Sequence, residues 1–287
     1  MKSSRCVELL KRTIDLVIGT IGTLSLLLVG PVVALCIKLD SRGPVLYRQQ
    51  RVGLNRRRSG RDWAPGAGSR LPGSEGFSSS ERRDCNVGGQ PFVIYKFRTM
   101  VVDAESSGPR LCAKQGDARL TRVGRWLRVT HLDELPQFVQ VLFGQMSFVG
   151  PRPERPFFTA RYLLEVTHYA KRTALKPGLT GIAQIALGYD ESPQSIVAKA
   201  RLDGAYVQAC QHVRAWLVME AWILWGTLAY LLGSRGKQLR SVPVIIAQAR
   251  LQRLGPSMQA SLRAASPPRA LGSLRRRRAK SRLAPAA

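Results

Sequence analysis

The chain is short of acidic residues, of histidine and of cysteines that could pair. Its 287 residues include 18 Asp and Glu against 45 Lys and Arg, so the formal net charge is +27. The five cysteines are odd in number and widely scattered, and neither they nor the three histidines have the spacing of a zinc site. This pattern excludes a disulfide scaffold and a zinc module, and nothing in it indicates an oxidising compartment.

Apolar residues are plentiful, in contrast. They make up 45% of the chain, which excludes a wholly disordered basic protein. A chain of this length can bury the core of one large domain or two small ones. The positive charge then predicts an anionic partner, which could be a nucleic acid, an acidic membrane surface or a phosphorylated substrate.

Two segments hold much of the excess charge and few large apolar residues. Residues 55–88 contain seven basic and four acidic residues without helical or strand periodicity, and we expect a flexible insertion there. Residues 235–287 contain 13 basic residues and no acidic one, and we expect residues 234–287 to form a disordered basic tail. Such a tail can be a solvated arm, or it can bind anionic lipid headgroups or nucleic acid.

An uncharged run from Leu16 to Ile37 predicts contact with a membrane. Its 22 residues are long enough to cross a bilayer as a helix. However, Gly30 and Pro31 lie inside the run, and both flanks are basic, so the positive-inside rule selects no orientation for a single span. The residues leave two alternatives, a spanning helix and a re-entrant helix that bends at Pro31 and returns, with Thr23 or Ser25 hydroxyls as partners for freed backbone groups.

A second apolar stretch, from Trp216 to Leu232, is short for a span and contains Glu220. Its Trp and Tyr side chains favour a helix that lies in the membrane interface, and a buried core helix is the alternative.

The segment between these two stretches carries the candidate chemistry. Alternation over Pro91–Met100 predicts a strand that places Lys96 and Arg98 on one face, where they could contact an anion or simply be half exposed. Two helical patterns follow, with a break near Val129–His131, and Asp133 or Thr130 is expected to cap the second helix.

Asp133 and Glu134 would then lie at the positive end of a helix dipole, which keeps a carboxylate ionised. An ionised carboxylate can attack phosphorus if a cation lowers the repulsion, and Arg128 or a divalent metal could serve. Taken alone, the pair is more typical of an ordinary first helical turn than of a reactive site.

Two short motifs point to anion binding by rigid backbone. Pro151 and Pro153 enclose Arg152 and would present its guanidinium in a fixed direction. The segment Pro177–Gly181 holds two glycines that would allow the backbone to approach a ligand closely. Each motif is weak evidence by itself.

In their order along the chain, these pieces resemble the bacterial sugar transferase family, the monotopic polyprenyl-phosphate phosphoglycosyl transferases. The matching segments are KRTID (11–15), IKLDSRGPVLYRQQRVG (37–53), KFRTM (96–100), DAE (103–105), LRVTHLDELPQ (127–137), MSFVGPRPERP (146–156) and LKPGLTGIAQ (175–184).

The resemblance implies transfer of a phosphosugar from a UDP-sugar to undecaprenyl phosphate, with UMP released and Mg²⁺ required. It implies that Asp133 is the nucleophile of a covalent phosphosugar intermediate, and that Glu134 assists it as a metal ligand or as a base. It places the Mg²⁺ at Asp133 and Glu134. Substrate-binding positions would be Arg128, Arg152, Pro151, Pro153, Lys96 and Arg98, and membrane-helix positions would be Lys11, Arg12, Asp15, Gly30 and Pro31.

The expected fold is α/β and membrane-associated. A re-entrant helix–break–helix (1–40) precedes a mostly helical cytosolic catalytic domain (41–233) with a small sheet and interfacial helices. The expected partners are a UDP-sugar, undecaprenyl phosphate and anionic lipids at the cytoplasmic face of the bacterial inner membrane, in the first membrane step of exopolysaccharide, capsule or O-antigen synthesis. We do not expect nucleic acid as a partner.

The chain departs from the family pattern in places. Gly30 replaces the usual serine before Pro31, Gln145 replaces an acidic residue, and Glu220 stands where an aspartate is usual. The alternatives are a basic membrane-associated nucleic-acid-binding protein, which would explain the tail, and an inactive scaffold, against which the intact Asp133 and Glu134 argue.

Overall fold

The N-terminal residues form one long helix, α1, which runs from Arg5 to Asp40. The computed structural model describes residues 4–55, 88–102, 104, 117–166, 169–187 and 193–232. The predicted insertion (55–88), apart from its two end residues, and the predicted tail (234–287) therefore lie outside the described residues. The same is true of Asp103 and Glu105 in the DAE motif.

Helical structure continues through Gly30 and Pro31 without interruption, and the predicted bend at Pro31 stays a prediction. A proline removes one backbone hydrogen bond, and the helix can continue if its neighbours keep theirs. The Thr23 and Ser25 hydroxyls do not fill that gap, since they donate to carbonyls one turn earlier, at 2.7 and 2.9 Å. The re-entrant path of α1 stays a prediction.

One stripe of α1 packs against the rest of the protein along nearly the whole helix. Its buried residues recur every three, four or eight positions, which keeps them on one face. They are Val7, Lys11, Asp15, Gly19, Gly22, Gly30, Val33 and Ile37. At Gly22 the packing leaves no room for a side chain, because an added Cβ would lie 2.1 Å from the Phe138 ring.

The other faces of α1 expose large apolar side chains, among them Leu24, Leu28 and Leu35. Within the described residues, α1 is the one helix that is long and apolar enough to cross a membrane.

Short elements follow α1 and form the rest of the described fold. In chain order they are β1 (Leu46–Val52), β2 (Pro91–Phe97), α2 (Arg122–Thr130), a 3-10 turn (Leu132–Glu134), α3 (Gln137–Leu142), β3 (Ser147–Val149), α4 (Pro156–Glu165), a 3-10 helix (Tyr169–Ala174), β4 (Gly178–Thr180), α5 (Ile182–Leu187), α6 (Pro193–Ala209) and α7 (Val213–Leu231).

The strands are few, and the mostly helical prediction with a small sheet is confirmed. The described strands form two separate sheets of two strands each, since β1 pairs antiparallel with β2 and β3 pairs parallel with β4. In the first sheet Tyr47 lies opposite Lys96. The predicted strand Pro91–Met100 is thus confirmed over Pro91–Phe97.

The two ends of α1 contact the same folded unit. Near its start, Lys11 Nζ donates to the Tyr206 hydroxyl of α6 at 2.9 Å and lies 3.5 Å from Glu220 of α7. Near its end, Ile37 packs with Phe97 and Leu127 in one apolar cluster.

Hydrogen bonds also join α1 to the residues around β3. Asp15 accepts from the Ser147 hydroxyl at 2.9 Å and from the backbone N–H of Phe148 at 2.7 Å. Arg12 donates to the carbonyls of Val141 and Leu142 at 3.0 and 2.7 Å. Three of the predicted membrane-helix residues, Lys11, Arg12 and Asp15, thus tie α1 to the rest of the described fold.

Helix α7 combines the two alternatives considered for residues 216–232. Trp216 and Ile223 are completely buried in the core, whereas Leu217, Trp225 and Leu228 are exposed. One face therefore belongs to the core and another remains apolar and uncovered by the described residues. That this second face lies in the membrane interface stays a prediction.

Candidate active site

A sharp turn between α2 and α3 carries the two candidate carboxylates. Helix α2 ends at His131, which has a φ of 58° and is the one described non-glycine residue with a positive φ. The chain then forms the 3-10 turn that contains Asp133 and Glu134. Leu132 and Leu135 on either side pack into the cluster around Leu127, which fixes the turn in place.

The predicted capping role of Asp133 and Thr130 is wrong. The residue before α3 is Pro136, and no side chain caps that helix. Thr130 instead donates to the carbonyl of Trp126 at 3.0 Å. Proline lacks the N–H that a cap would bind, and α3 is only six residues long, so a helix dipole does not explain the state of Asp133.

Asp133 is the carboxylate available for chemistry. Its side chain borders the large cavity described below, is 8% exposed, and forms no hydrogen bond with another described residue. Burial raises the pKa of Asp133, while the nearby charges of Lys96 and Arg128 act in the opposite direction. A higher pKa makes the ionised carboxylate more basic and hence a better nucleophile.

Glu134, in contrast, is held between two cations. One of its oxygens, Oε1, accepts from Lys96 Nζ and, at 3.2 Å, from Arg152 Nη2. Burial alone would raise the pKa of Glu134, but the charges and hydrogen bonds of Lys96 and Arg152 outweigh it and lower the pKa far below the ordinary range. Glu134 therefore stays ionised. For its partner Lys96, burial has the larger effect and lowers the pKa.

Arg152 is presented by a rigid loop, as the sequence predicts. The loop is bound to β4 by two backbone hydrogen bonds, of which one runs from Gly178 N to Pro151 O at 2.9 Å. Pro153 O accepts from Arg51 at 3.0 Å, and the carbonyl of Arg152 accepts from Arg172 at 3.2 Å. The two prolines fix the backbone, while the Arg152 side chain borders the cavity.

The two glycines of the Pro177–Gly181 segment approach backbone, not a ligand. A Cβ added to Gly178 would lie 2.1 Å from Gly150 N, and one added to Gly181 would lie 2.2 Å from Gly150 O. The glycines thus let β4 and the loop of Arg152 pack together, which corrects the interpretation made from the sequence.

Arg128 and Arg98 differ in the use of their guanidinium groups. Arg128 donates through Nε to the Thr99 hydroxyl at 3.0 Å and borders the cavity. Arg98 also borders the cavity, but its two terminal nitrogens donate to the carbonyls of Arg42 and Ser41, both at 2.7 Å. Because β2 ends at Phe97, Arg98 lies outside the strand, and the predicted shared face with Lys96 does not include it. Its guanidinium instead binds the residues that follow α1.

These groups meet in one cavity of about 1560 Å³. Asp133, Glu134, Lys96, Arg128 and Arg152 all border it, so the structure brings together the residues predicted from motifs far apart in the sequence.

The sequence interpretation assigned no role to several other basic residues that line the cavity. They are Arg48, Arg51, Arg119, Arg125, Arg155, Arg172 and Lys199. Arg48 and Arg51 reach the cavity because β1 pairs antiparallel with β2, which places both residues beside the strand of Lys96. Arg172 has no such local signal, because its ion pair with Asp203, at 2.6 Å, depends on the packing of α6.

The donor groups fit a Mg²⁺ ion that is shared with a substrate. No group of three His, Cys, Asp or Glu side chains within the described ranges could enclose a metal. Mg²⁺ commonly takes one or two carboxylates and completes its shell with phosphate oxygens and water. Asp133 can supply such a ligand, and so can the Oε2 of Glu134, because the two cations bind Glu134 through Oε1.

Comparison with known proteins gives a consistent picture. The sequence model of the bacterial sugar transferase family matches residues 6–59 and 74–234. A relative from Caulobacter vibrioides, a UDP-glucose:undecaprenyl-phosphate glucose-1-phosphate transferase, is 34% identical over 243 residues, which are 84% of this chain and 71% of the relative.

Two longer relatives differ in the sugar they are named for. An Escherichia coli UDP-glucose:undecaprenyl-phosphate glucose-1-phosphate transferase is 39% identical over 62% of this chain. An Aeromonas hydrophila UDP-N-acetylgalactosamine-undecaprenyl-phosphate N-acetylgalactosaminephosphotransferase is 35% identical over 61% of this chain. The chain matches 31% and 33% of the length of these two relatives.

Replacing Lys96 by methionine should destabilise the protein by about 3 kcal/mol near neutral pH, because it removes one partner of a buried ion pair. In the wild type the lowered pKa of Glu134 stabilises the fold above the ordinary glutamate pKa, and this contribution is lost as the pH falls. The deficit of the variant, measured by thermal unfolding, should therefore keep its full size from about pH 7 to about pH 5 and shrink as the pH falls further below the ordinary pKa of glutamate.

The matched control is Arg161→Met, which breaks the exposed pair with Glu165 and should change stability little. A Lys96→Met deficit that stays constant with pH, or that equals the control, would contradict the assigned ion pair.

Proposed function

Because the chain belongs to the bacterial sugar transferase family, we propose that it transfers a phosphosugar from a UDP-sugar to undecaprenyl phosphate and releases UMP. The names of the relatives support both substrates. We place this reaction at the cytoplasmic face of the inner membrane, as the first membrane step in the synthesis of a polysaccharide such as an exopolysaccharide, capsule or O-antigen.

One observation carries this proposal. Asp133 lies in the cavity without a hydrogen bond to another described residue, while cationic side chains surround it. An anionic nucleophile can approach an anionic phosphate only if neighbouring charges offset the repulsion. Lys96, Arg128 and Arg152 supply such charges at the same cavity.

In the first step, a carboxylate oxygen of Asp133 attacks the sugar-bearing phosphorus of the UDP-sugar. The bond from that phosphorus to the oxygen bridging to UMP breaks, and UMP leaves with its electron pair. Asp133 then carries the phosphosugar as an acyl phosphate. The higher pKa of Asp133 favours this attack, because a more basic carboxylate forms the new bond more readily.

In the second step, an oxygen of undecaprenyl phosphate attacks the same phosphorus. The bond to Asp133 breaks, the carboxylate is restored, and the sugar leaves as undecaprenyl diphosphate sugar. Two displacements at one phosphorus require the acceptor phosphate to enter after UMP has left.

We assign Glu134 to hold the cations in place. Its strongly lowered pKa makes it a weak base, whereas its contacts with Lys96 and Arg152 fix two positive groups beside Asp133. Asp133 and Glu134 are also the residues that would hold Mg²⁺. A bound Mg²⁺ supplies further positive charge against the diphosphate of the donor substrate.

The packing of α1 supports a re-entrant or surface-lying helix over a straight span. A span would carry its two ends to opposite sides of a bilayer, but Lys11 and Ile37 both contact the same folded unit. The exposed apolar faces of α1 and α7 are suited to membrane lipids, and α2 adds Trp126 beside exposed Arg122 and Arg125, which suit anionic headgroups.

Replacing Asp133 by asparagine should abolish UMP release, because the amide is not a nucleophile. The assay uses membranes or purified protein with Mg²⁺, undecaprenyl phosphate and a panel of UDP-sugars, and the expected loss is about 10,000-fold or more. The control is Glu165→Gln, at an exposed position away from the cavity. Activity that survives in Asp133→Asn would overturn the assigned nucleophile, and an inactive wild type across the panel would favour a scaffold.

The topology can be tested with single cysteines at the two ends of α1. Cys6 is a natural exposed probe at the first end, and Arg42→Cys adds one just beyond the second end. In whole cells both should resist a reagent that cannot cross the inner membrane, and both should react after permeabilisation. Labelling of either cysteine from the periplasmic side would refute the proposed path.

A further inference from the structure

The phosphate chemistry leaves part of the apolar lining of the cavity unexplained. One set of apolar lining residues comes from the end of α2, the turn of Asp133, β4, α5 and the end of α7, and we call this set the apolar arm. Its members are Val129, Leu132, Leu135, Leu179, Ile185 and Leu231. A nucleotide diphosphate would use the cationic part of the cavity, not this arm.

The ends of α2 and α7 lie close together at this part of the cavity. The rings of His131 and Tyr230 have their centroids 5.4 Å apart. Val129, shortly before His131, and Leu231, directly after Tyr230, border the cavity and are 57% and 55% exposed. We call these two exposed residues the apolar rim of the cavity.

The rim continues into the apolar surface of the same helices. Trp126 of α2 is 55% exposed, and on α7 the exposed residue Trp225 precedes Leu231 by six positions. The two helices that carry the apolar rim thus also carry exposed tryptophans. Tryptophan on such a surface is typical of the membrane interface.

We propose that the arm binds the first isoprene units of a prenyl phosphate, with its phosphate at the cationic groups around Asp133. This inference rests on the proposed function and adds the site and the direction of entry of the lipid substrate. The charges are complementary, because the anionic phosphate of the lipid would reach Arg128 and Lys96. The isoprenoid chain would then extend outward past the apolar rim. Asp133, two residues after His131, lies where the two parts meet.

A second exposed rim of the cavity offers a competing entrance. It contains Leu46, Val101 and Val102. Arg119 and Arg125 line the cavity together with this rim. The rim residues belong to neither α2 nor α7, the helices that carry the exposed tryptophans. We therefore favour the entrance between α2 and α7, and the second rim defines an outcome of the test.

The test compares Leu231→Asp with Leu228→Asp in the purified full chain, with UDP-sugar and Mg²⁺ in detergent. Leu228 and Leu231 are both exposed on α7, but of these two residues only Leu231 borders the cavity. The acceptors are undecaprenyl phosphate and the shorter farnesyl phosphate. Leu231→Asp should raise the KM for both acceptors about 10-fold or more, and the KM for UDP-sugar less than about 2-fold.

The control Leu228→Asp shares any general loss of membrane contact, so it should leave the KM for farnesyl phosphate within about 2-fold of the wild type. If Leu231→Asp does not fold, Val129→Asp on the facing helix replaces it, with the same expected result. An unchanged acceptor KM in the folded variant, or an equal rise in Leu228→Asp, would overturn the inference. So would a rise confined to Val102→Asp, which would place the lipid at the second rim.

Failure of this inference can be told apart from failure of the proposed function. If the wild-type chain releases no UMP with any UDP-sugar, the function itself fails. If it releases UMP but the acceptor KM does not respond to Leu231→Asp, only the lipid site fails.

Discussion

The ionic contact of Glu134 with Lys96 and Arg152 is the interaction on which the site depends. It joins three parts of the chain, the strand β2, the turn after α2 and the loop after β3, at one carboxylate oxygen. Each charge is largely buried, so the loss of either cation leaves Glu134 with one partner in place of two, and the loss of Glu134 leaves both cations without it. The adjacent Asp133 lies near the same cations but forms no hydrogen bond with another described residue, and it is therefore available to react.

Helix α1 extends this arrangement to an exposed apolar surface of the protein. Its packed stripe supports β3 through Asp15 and the cluster of Leu127 through Ile37, so α1 and the turn of Asp133 share one framework. Lys11 and Glu220 join α1 to α7. A helix with an exposed apolar surface that also supports the candidate active site suits the proposed enzyme, which would take one soluble and one lipid substrate.

Local patterns in the sequence predicted the strand of Lys96, the rigid loop of Arg152 and the proximity of Asp133 to cations. They failed where the outcome depends on distant packing. Alternation placed Arg98 beside Lys96, but the end of α1 takes its guanidinium. The spacing predicted a capped helix at Asp133, whereas Pro136 and the cluster around Leu127 favour a 3-10 turn. The glycine of β4 meets Gly150, far away in sequence, and no local signal indicates that contact.

The central claim is that Asp133 forms a covalent bond to the phosphosugar before the lipid binds. Intact-protein mass spectrometry after incubation with Mg²⁺ and the accepted UDP-sugar, without any prenyl phosphate, tests this directly. The account predicts a gain equal to one phosphosugar, located on the peptide that contains Asp133, together with release of one UMP per chain. An unmodified chain that releases UMP only when the lipid acceptor is present would contradict it.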